Sequence, residues 1–142
     1  MRKFEEFIRG EIVKRQSPNR NRAISLLREA EDKKAFLDLT ISKIPSDKMN
    51  ANFVVDYCYD IIMELVRAKM FIDGFNAGNS HEAEVSYLQI LGFPQTEVEF
   101  MDELRYYRNG TKYYGTILNS SYAKKALNFL NKNYTKIKNL VK

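Results

Sequence analysis

Residues 103–115 bring together the side chains of this chain that could bind or cleave a phosphodiester, in the order ELRYYRNGTKYYG. On a helix, Arg105, Arg108 and Lys112 are three and four positions apart, so the three cations share one face and Asn109 lies beside them. Four tyrosines are interleaved with these positions: Tyr106, Tyr107, Tyr113 and Tyr114. Cations neutralise phosphates, an asparagine amide donates and accepts hydrogen bonds, and tyrosine rings stack on unpaired bases. One interpretation of the segment is therefore an RNA-binding face made of Arg105, Arg108, Lys112, Tyr106 and Tyr114.

The same segment also fits a purely structural interpretation. Leu104 and Tyr107 would then be core residues, and the arginines would be solvated or paired with carboxylates. Three carboxylates that recur every fourth residue are available as partners for Arg105 and Arg108: Asp56, Asp60 and Glu64. The segment alone does not choose between the two interpretations.

The charge of the chain is unevenly distributed along the sequence. The formal net charge is +5, yet no acidic residue follows Glu103. Residues 104–142, the C-terminal basic tail, hold nine Lys and Arg. The first 103 residues hold the other 14 of the 23 basic residues and all 18 acidic ones. A basic tail favours a surface for phosphates, with nucleic acid as the simplest partner. The alternatives are pairing with the acidic part of the same chain, or contact with an acidic surface of another protein.

The apolar residues recur at helical spacing throughout, which predicts an all-α fold without any β-sheet. Proline, glycine and capping residues place helix boundaries near these positions: Arg15, Pro18, Pro45, Ser46 or Asp47, Gly74, Ser80, Gly92, Thr96, and Ser120 or Ser121. Short connections between long helices favour antiparallel neighbours, hence an up-and-down bundle of four to five helices. We expect one domain over residues 1–142, with a peripheral helix over 1–16 and the bundle over 19–142.

Several functional classes are disfavoured by composition. With one cysteine, Cys58, and one histidine, His81, we expect no disulfide, no metal site and no cofactor. Cys58 is predicted to be a buried hydrophobe, and His81 a helix-start residue with a local hydrogen bond. No apolar stretch is long enough to cross a bilayer, and the first residues do not resemble a signal peptide. We therefore expect a cytoplasmic protein without a membrane partner.

The motif Arg108-Asn109-x-x-x-Tyr113-Tyr114-Gly115, on the penultimate long helix, resembles the HEPN domain family. The similarity extends to the aromatic third helix around residues 57–60, the turn at Gly74 and the helix start at residues 80–82, and it covers about residues 20–142. The chain is most similar to small stand-alone archaeal and bacterial HEPN proteins, often encoded beside a nucleotidyltransferase. The resemblance implies a HEPN-like bundle, a homodimer whose motif helices meet, and a possible nucleotidyltransferase partner. Many members are metal-independent endoribonucleases and toxins of toxin–antitoxin pairs, which implies Arg108, Asn109 and position 113 as catalytic residues.

Position 113 departs from the family pattern, because Tyr113 stands where the family has a histidine. A phenol titrates near pH 10 and is a poor base at neutral pH, whereas general acid–base help contributes roughly 10²–10⁴ in rate. Gly115 also stands where some toxins carry a tyrosine. These departures favour an RNA- or partner-binding module with a degenerate ribonuclease motif. The alternatives are an active endoribonuclease, and a helical interaction module without a nucleic-acid function.

Overall fold

The computed structural model describes all of residues 1–142 and contains six α-helices and two very short strands. The elements, in chain order, are α1 (Phe4–Arg9), β1 (Lys14–Arg15), α2 (Arg20–Lys43), α3 (Ala51–Asp73), β2 (Phe75–Asn76), α4 (His81–Ile90), α5 (Gln95–Tyr113) and α6 (Ser120–Val141). A single 3-10 turn, Ser46–Lys48, precedes α3. The predicted all-α helical bundle is confirmed, with α2, α3, α5 and α6 as its long helices.

Helix α3 lies at the centre of the bundle and packs against α2, α4, α5 and α6. Its apolar residues are buried around most of its circumference, among them Ile61, Ile62 and Leu65. Fully burying side chains of this size stabilises the fold by about 1.5–3 kcal/mol each. Any polar side chain that α3 carries between its neighbours therefore lies in a half-buried groove rather than on an open face.

Polar contacts between the helices show that neighbouring long helices run antiparallel. On α3 and α5, Asp56 accepts from the Thr111 hydroxyl at 2.8 Å, and Asp60, one turn later, pairs with Arg108, one turn earlier. Along α5 and α6, Glu103 accepts from the Tyr122 hydroxyl at 2.7 Å and the earlier Glu97 accepts from the later Asn133 at 2.8 Å, in the same antiparallel sense. This arrangement places the C-terminal half of α5, with its basic and aromatic residues, beside the middle of α3.

The prediction of no β-sheet is wrong, although the sheet is minimal. Strands β1 and β2 pair antiparallel, with Lys14 opposite Asn76 and Arg15 opposite Phe75. The first helix ends at Arg9 rather than near Arg15, because the buried Val13 and the pairing with β2 hold the chain in an extended conformation. Helical spacing of Ile12 misled the prediction, since this side chain is exposed instead of facing the core.

The chain reverses sharply at the C-terminus of α3, where Gly74 adopts a left-handed conformation with φ of 85°. A Cβ on Gly74 would lie 2.6 Å from the backbone oxygen of Gln16, so only glycine fits. The Gln16 amide donates to the Gly74 carbonyl at 2.8 Å, and the Asn19 amide donates to the Phe71 carbonyl at 2.9 Å. These bonds fix residues 14–19 along the end of α3.

The predicted helix starts are partly correct. Ser80 caps α4 as predicted, since its hydroxyl accepts from the Ala83 amide at 3.2 Å. The predicted caps at Ser46 or Asp47 and at Thr96 are wrong, because α3 begins after Asn50 and α5 begins after Pro94. The Asn50 side chain accepts from the Phe53 amide at 3.0 Å, which is the bond an N-cap supplies.

The hydropathy of the helices gives no candidate for a membrane span, because none of them is both long and apolar enough.

Candidate nucleic-acid interface

A cleft of about 410 Å³ opens where α3 faces the end of α5 and the start of α4. From α3 it is lined by Tyr59, Asp60, Met63, Glu64 and Arg67. From α5 it is lined by Arg108, Asn109, Lys112 and Tyr113, and from α2 and α4 by Lys33 and His81. This polar cleft collects most of the residues that the sequence pattern proposed as chemically active, together with others that it did not propose.

Arg108 is held at the floor of the polar cleft. Its Nη2 lies 3.1 Å from Asp60 Oδ1, and its guanidinium carbon lies 5.7 Å from the centre of the Tyr59 ring. Only 20% of the side chain is exposed, and its Nε is buried without a hydrogen-bond partner. The guanidinium is therefore oriented by one carboxylate and one aromatic face while it keeps a donor unused.

Three buried side-chain polar atoms of the protein lack a hydrogen-bond partner, and all three belong to residues that line the polar cleft: Tyr59 Oη, Glu64 Oε2 and Arg108 Nε. Tyr59 and Glu64 are almost fully buried, with 4% and 7% of their surface exposed. Leaving a buried polar group unsatisfied costs about 1–3 kcal/mol. These atoms are concentrated around one cleft rather than dispersed through the core.

An ion-pair network joins the walls of the polar cleft. Glu64 accepts from Lys33 of α2, and Arg67 donates from Nη2 to Glu84 of α4 at 2.9 Å. His81 Nδ1 lies 3.1 Å from the same Glu84 carboxylate, which confirms the predicted local hydrogen bond of this histidine. The network fixes α2, α3 and α4 around the cleft, so its lining is preorganised rather than assembled on binding.

The pKa values of the two carboxylates of this network, Glu64 and Glu84, are shifted in opposite directions. Burial raises the pKa of Glu64, and the bond from Lys33 does not reverse the shift. Burial would also raise the pKa of Glu84, but hydrogen bonds from His81 and Arg67 outweigh it, so its pKa is lowered. Glu84 is therefore a firmly ionised anchor beneath the cleft, whereas Glu64 accepts a proton more readily.

The end of α5 is held in place by the connection to α6. A Cβ on Gly110 would lie 2.6 Å from the Thr116 hydroxyl, so glycine permits the connection to fold back against the helix. The Asn52 side chain secures it from α3, donating to the Thr116 carbonyl and accepting from the Leu118 amide, both at 2.8 Å. Asn109 and Tyr113 thus sit on a helix end whose position is fixed from two sides.

The structure separates the proposed site residues into two groups. Arg108, Asn109, Lys112 and Tyr113 line the polar cleft. Arg105 does not line it, and instead pairs with Asp102 on its own helix at 2.8 Å. Tyr106 and Tyr114 also lie outside the lining, and they are 71% and 83% exposed. Of the three cations predicted to share one face, Arg108 and Lys112 therefore line the cleft, whereas Arg105 makes an ion pair within its own helix.

Residues from other helices complete the site, and sequence reasoning did not assign them to it. Tyr59, Glu64 and Arg67 come from α3, and Lys33 comes from α2. One signal was present, because the spacing of His81 and Glu84 by three residues on a helix predicts contact between them. No sequence signal places that pair next to Arg108, since this depends on how α4 packs against α3.

The remaining polar and sulfur groups do not form a second reactive centre. Cys58 is fully buried, as predicted, and burial raises the pKa of its thiol to about 12. No group of three or more His, Cys, Asp or Glu side chains is arranged to hold a metal ion. The polar cleft is thus the place where titratable and hydrogen-bonding side chains converge.

Comparisons of the chain with protein-family models, with curated proteins and with solved structures give no match.

Proposed function

We propose that this protein is a HEPN-like RNA-binding module that holds single-stranded RNA in the polar cleft. The observation that carries the proposal is the partly exposed Arg108 guanidinium, which Asp60 and the Tyr59 ring hold in the cleft. The same preorganised cleft presents Asn109 and Lys112, the residue types that bind phosphates. The HEPN resemblance of the motif at residues 108–115 adds RNA as the expected polymer.

The groups that reach the cleft surface match those of a ribonucleotide. The exposed part of the Arg108 guanidinium and the Lys112 ammonium can donate to phosphate oxygens, and charge-assisted bonds of this kind are about twice as strong as neutral ones. The Asn109 side chain can exchange hydrogen bonds with the ribose 2′-hydroxyl, the group by which proteins distinguish RNA from DNA. Tyr113, 66% exposed at the rim of the cleft, offers a ring on which an unpaired base can stack.

Metal-independent RNA cleavage is a second candidate function, favoured by the placement of His81 on the cleft that holds Arg108. Imidazole is the side chain suited to proton transfer near neutral pH, and Glu84 orients this one through Nδ1. His81 would take the proton of a ribose 2′-hydroxyl, whose oxygen then attacks phosphorus. The bond from phosphorus to the 5′-oxygen breaks and that oxygen takes up a proton, leaving a 2′,3′-cyclic phosphate and a 5′-hydroxyl.

The test is to incubate fluorescent single-stranded RNA in EDTA with wild type and with Arg108→Ala, measuring anisotropy and then product size. Arg105→Ala is the matched control, because it removes a neighbouring arginine that lies outside the cleft. We expect Arg108→Ala to weaken binding roughly ten- to a hundredfold, the effect of losing hydrogen bonds from a charged group, and Arg105→Ala to change it little.

Each outcome assigns the protein to one class. Equal losses in the two variants, or no binding by wild type, would reject the polar cleft as an RNA site and leave a protein partner, such as a nucleotidyltransferase or a second copy of the chain, as the function of this surface. Cleavage that disappears in both Arg108→Ala and His81→Ala would establish the ribonuclease. Binding without product would establish the binding module.

A further inference from the structure

A second basic region lies far from the C-terminal basic tail in sequence. Residues 12–28, the N-terminal basic segment, contain five basic residues and no acidic one: Lys14, Arg15, Arg20, Arg22 and Arg28. All five side chains are exposed, and none takes part in an ion pair with a carboxylate. Their charge is therefore available to a ligand.

Two arginines of this segment are oriented by aromatic rings. The Arg22 guanidinium carbon lies 4.5 Å from the centre of the Phe71 ring, and that of Arg15 lies 5.4 Å from the Phe75 ring. A guanidinium that lies over a ring keeps its N–H edges directed outward, where they can meet phosphate oxygens or stack on a base. The backbone bonds to Gly74 and Phe71 keep both arginines at the C-terminal end of α3.

A second cleft, of about 280 Å³, connects this segment to the polar cleft. Its lining includes Arg22 of the N-terminal basic segment and Asn76 and Asn79 of the turn between α3 and α4. Arg67 and His81 line both clefts. The two clefts are therefore neighbours across these two side chains, and together they form one continuous path of polar and charged groups.

The start of α4 stands at the boundary between the two clefts. His81 is its first residue, and the ten residues of the helix direct the positive end of the helix dipole to this point. An anion that passes His81 would meet this favourable field between Arg67 and Arg22. Three carboxylates also line the path, and each is paired with a cation: Asp60 with Arg108, Glu64 with Lys33 and Glu84 with Arg67.

We infer that a single RNA strand occupies both clefts, running from Arg108 past His81 and Arg67 to Arg22 and Arg15. This inference rests on the proposed RNA binding at the polar cleft and adds a second contact surface to it. Asp60, the partner of Arg108, and Phe71, beneath Arg22, are eleven residues apart on α3, which is about 16 Å along the helix axis. Phosphates along one strand of a duplex are about 3.4 Å apart, and those of an extended strand are farther apart, so a path of this length spans more than one nucleotide.

The test is a comparison of binding to a short and a long single-stranded RNA, of about four and about twelve nucleotides, at several salt concentrations. The variant is Arg15→Ala combined with Arg22→Ala. Its matched control is Lys125→Ala combined with Lys136→Ala, which removes two exposed cations that likewise lie over phenylalanine rings, Phe100 and Phe93. Lys14→Gln combined with Arg20→Gln serves as a second variant that disturbs no ring contact.

We expect wild type to bind the long RNA at least tenfold more tightly than the short one. The Arg15 and Arg22 variant should lose most of that gain while it binds the short RNA normally. Its plot of log affinity against log salt should become shallower by about 1.4, because each phosphate contact on a single strand contributes about 0.7. The control should keep both the gain and the slope.

Two results would overturn the inference and leave the proposed function standing. One is an affinity that depends on Arg108 but does not increase with RNA length. The other is an equal loss in the control, which would mean that total charge rather than a path determines binding. Absence of binding to either RNA would reject the proposed function itself, and the inference with it.

Discussion

The two basic regions of this protein differ in what their cations face. In the C-terminal basic tail, four of the nine cations pair with carboxylates from the first 103 residues: Arg105 with Asp102, Arg108 with Asp60, Lys132 with Glu97 and Lys138 with Glu31. In the N-terminal basic segment, none of the five does. The sequence draws attention to the tail because its charges are more numerous and are unopposed along the chain. Folding removes this advantage, because pairing in three dimensions leaves five unpaired cations in each region.

Paired and unpaired cations consequently have different roles, the first in stabilising the fold and the second in binding at the surface. Arg67 and Arg108 lie in half-buried grooves, where a carboxylate holds each of them between two helices. Removing Arg67 strands the buried Glu84 carboxylate, and removing Arg108 leaves the partly exposed Asp60 without its partner. Arg15, Arg20 and Arg22 are exposed and hold no helix, so their removal should leave the fold intact and change only what the surface binds. Stability therefore separates the two groups experimentally.

The largest expected effect is on stability, for Arg67→Ala. Glu84 is almost fully buried, and it would lose the two bonds that Arg67 donates. Removing one partner of a buried pair costs about 3–5 kcal/mol. We expect the free energy of unfolding, measured by urea denaturation with circular dichroism, to fall by about that amount.

The unpaired counterpart for this experiment is Arg20→Ala, which also removes one arginine. Because Arg20 is exposed and makes no ion pair, the free energy of unfolding of the Arg20→Ala variant should stay within about 0.5 kcal/mol of wild type. Equal and small losses in the two variants would remove the distinction between paired and unpaired cations. A large loss for Arg20 would show that the N-terminal basic segment also has a structural duty.

The next effect is a pH dependence of stability that originates at Glu84. Its pKa is lowered in the folded protein from an ordinary value of 4.5, since the bonds from His81 and Arg67 outweigh the effect of burial. A lowered folded pKa contributes stability that is present above the ordinary value and is lost as the pH falls through the folded value. Hydrogen bonds to a charged group contribute about 1.5–3 kcal/mol, so Glu84→Gln should be less stable by roughly that amount at neutral pH.

Urea denaturation of wild type and Glu84→Gln, repeated from neutral pH to about pH 3, follows this contribution. The two curves of stability against pH should lie apart near neutrality and approach each other in acid. Glu82→Gln is the matched control, because Glu82 pairs with Arg2 at the surface and its replacement should shift the curve less. A gap between wild type and Glu84→Gln that stays constant with pH would mean that packing, not charge, explains the loss.

The helices were predictable because their apolar residues recur at helical spacing and no alternating, strand-like pattern competes with it. Apolar residues at helical spacing, such as Phe53, Tyr57, Ile61 and Leu65, located the body of α3 and its end at Gly74, although not its start, and Ser80 gave the start of α4. The paired strands were not predictable, because two residues are too few to show an alternating pattern. They form only because the end of α3 brings Phe75 and Asn76 to the extended chain at Lys14 and Arg15.

The candidate site was predictable only along one helix. Local sequence predicted Arg108, Asn109 and Tyr113, which share the end of α5. It did not show that Arg105 lies outside the cleft, because this depends on how α5 packs against α3. Tyr59 looked like one of several aromatic residues on α3. Its importance comes from a hydroxyl that packing buries without a partner, and no local pattern shows such an atom.

The smallest expected effect concerns Asp60, the carboxylate that pairs with Arg108. If pairing limits the availability of a cation, a phosphate must compete with Asp60 for the Arg108 guanidinium, and Asp60→Asn should strengthen RNA binding. The pair lies in a half-exposed groove, where such interactions contribute about 0.2–1 kcal/mol, so the gain should be at most about fivefold. Fluorescence anisotropy with a short RNA measures it.

Asp56→Asn provides the control, because Asp56 lies one turn earlier on α3 and accepts from the Thr111 hydroxyl instead of a cation. It removes the same charge from the same helix without releasing an arginine. A gain limited to Asp60→Asn would show that the folded protein holds Arg108 partly in reserve. A loss would show that Asp60 orients the guanidinium toward the RNA. Pairing would then prepare a cation for its ligand rather than withhold it. The two basic regions would in that case differ in the geometry of their cations and not in how many are available.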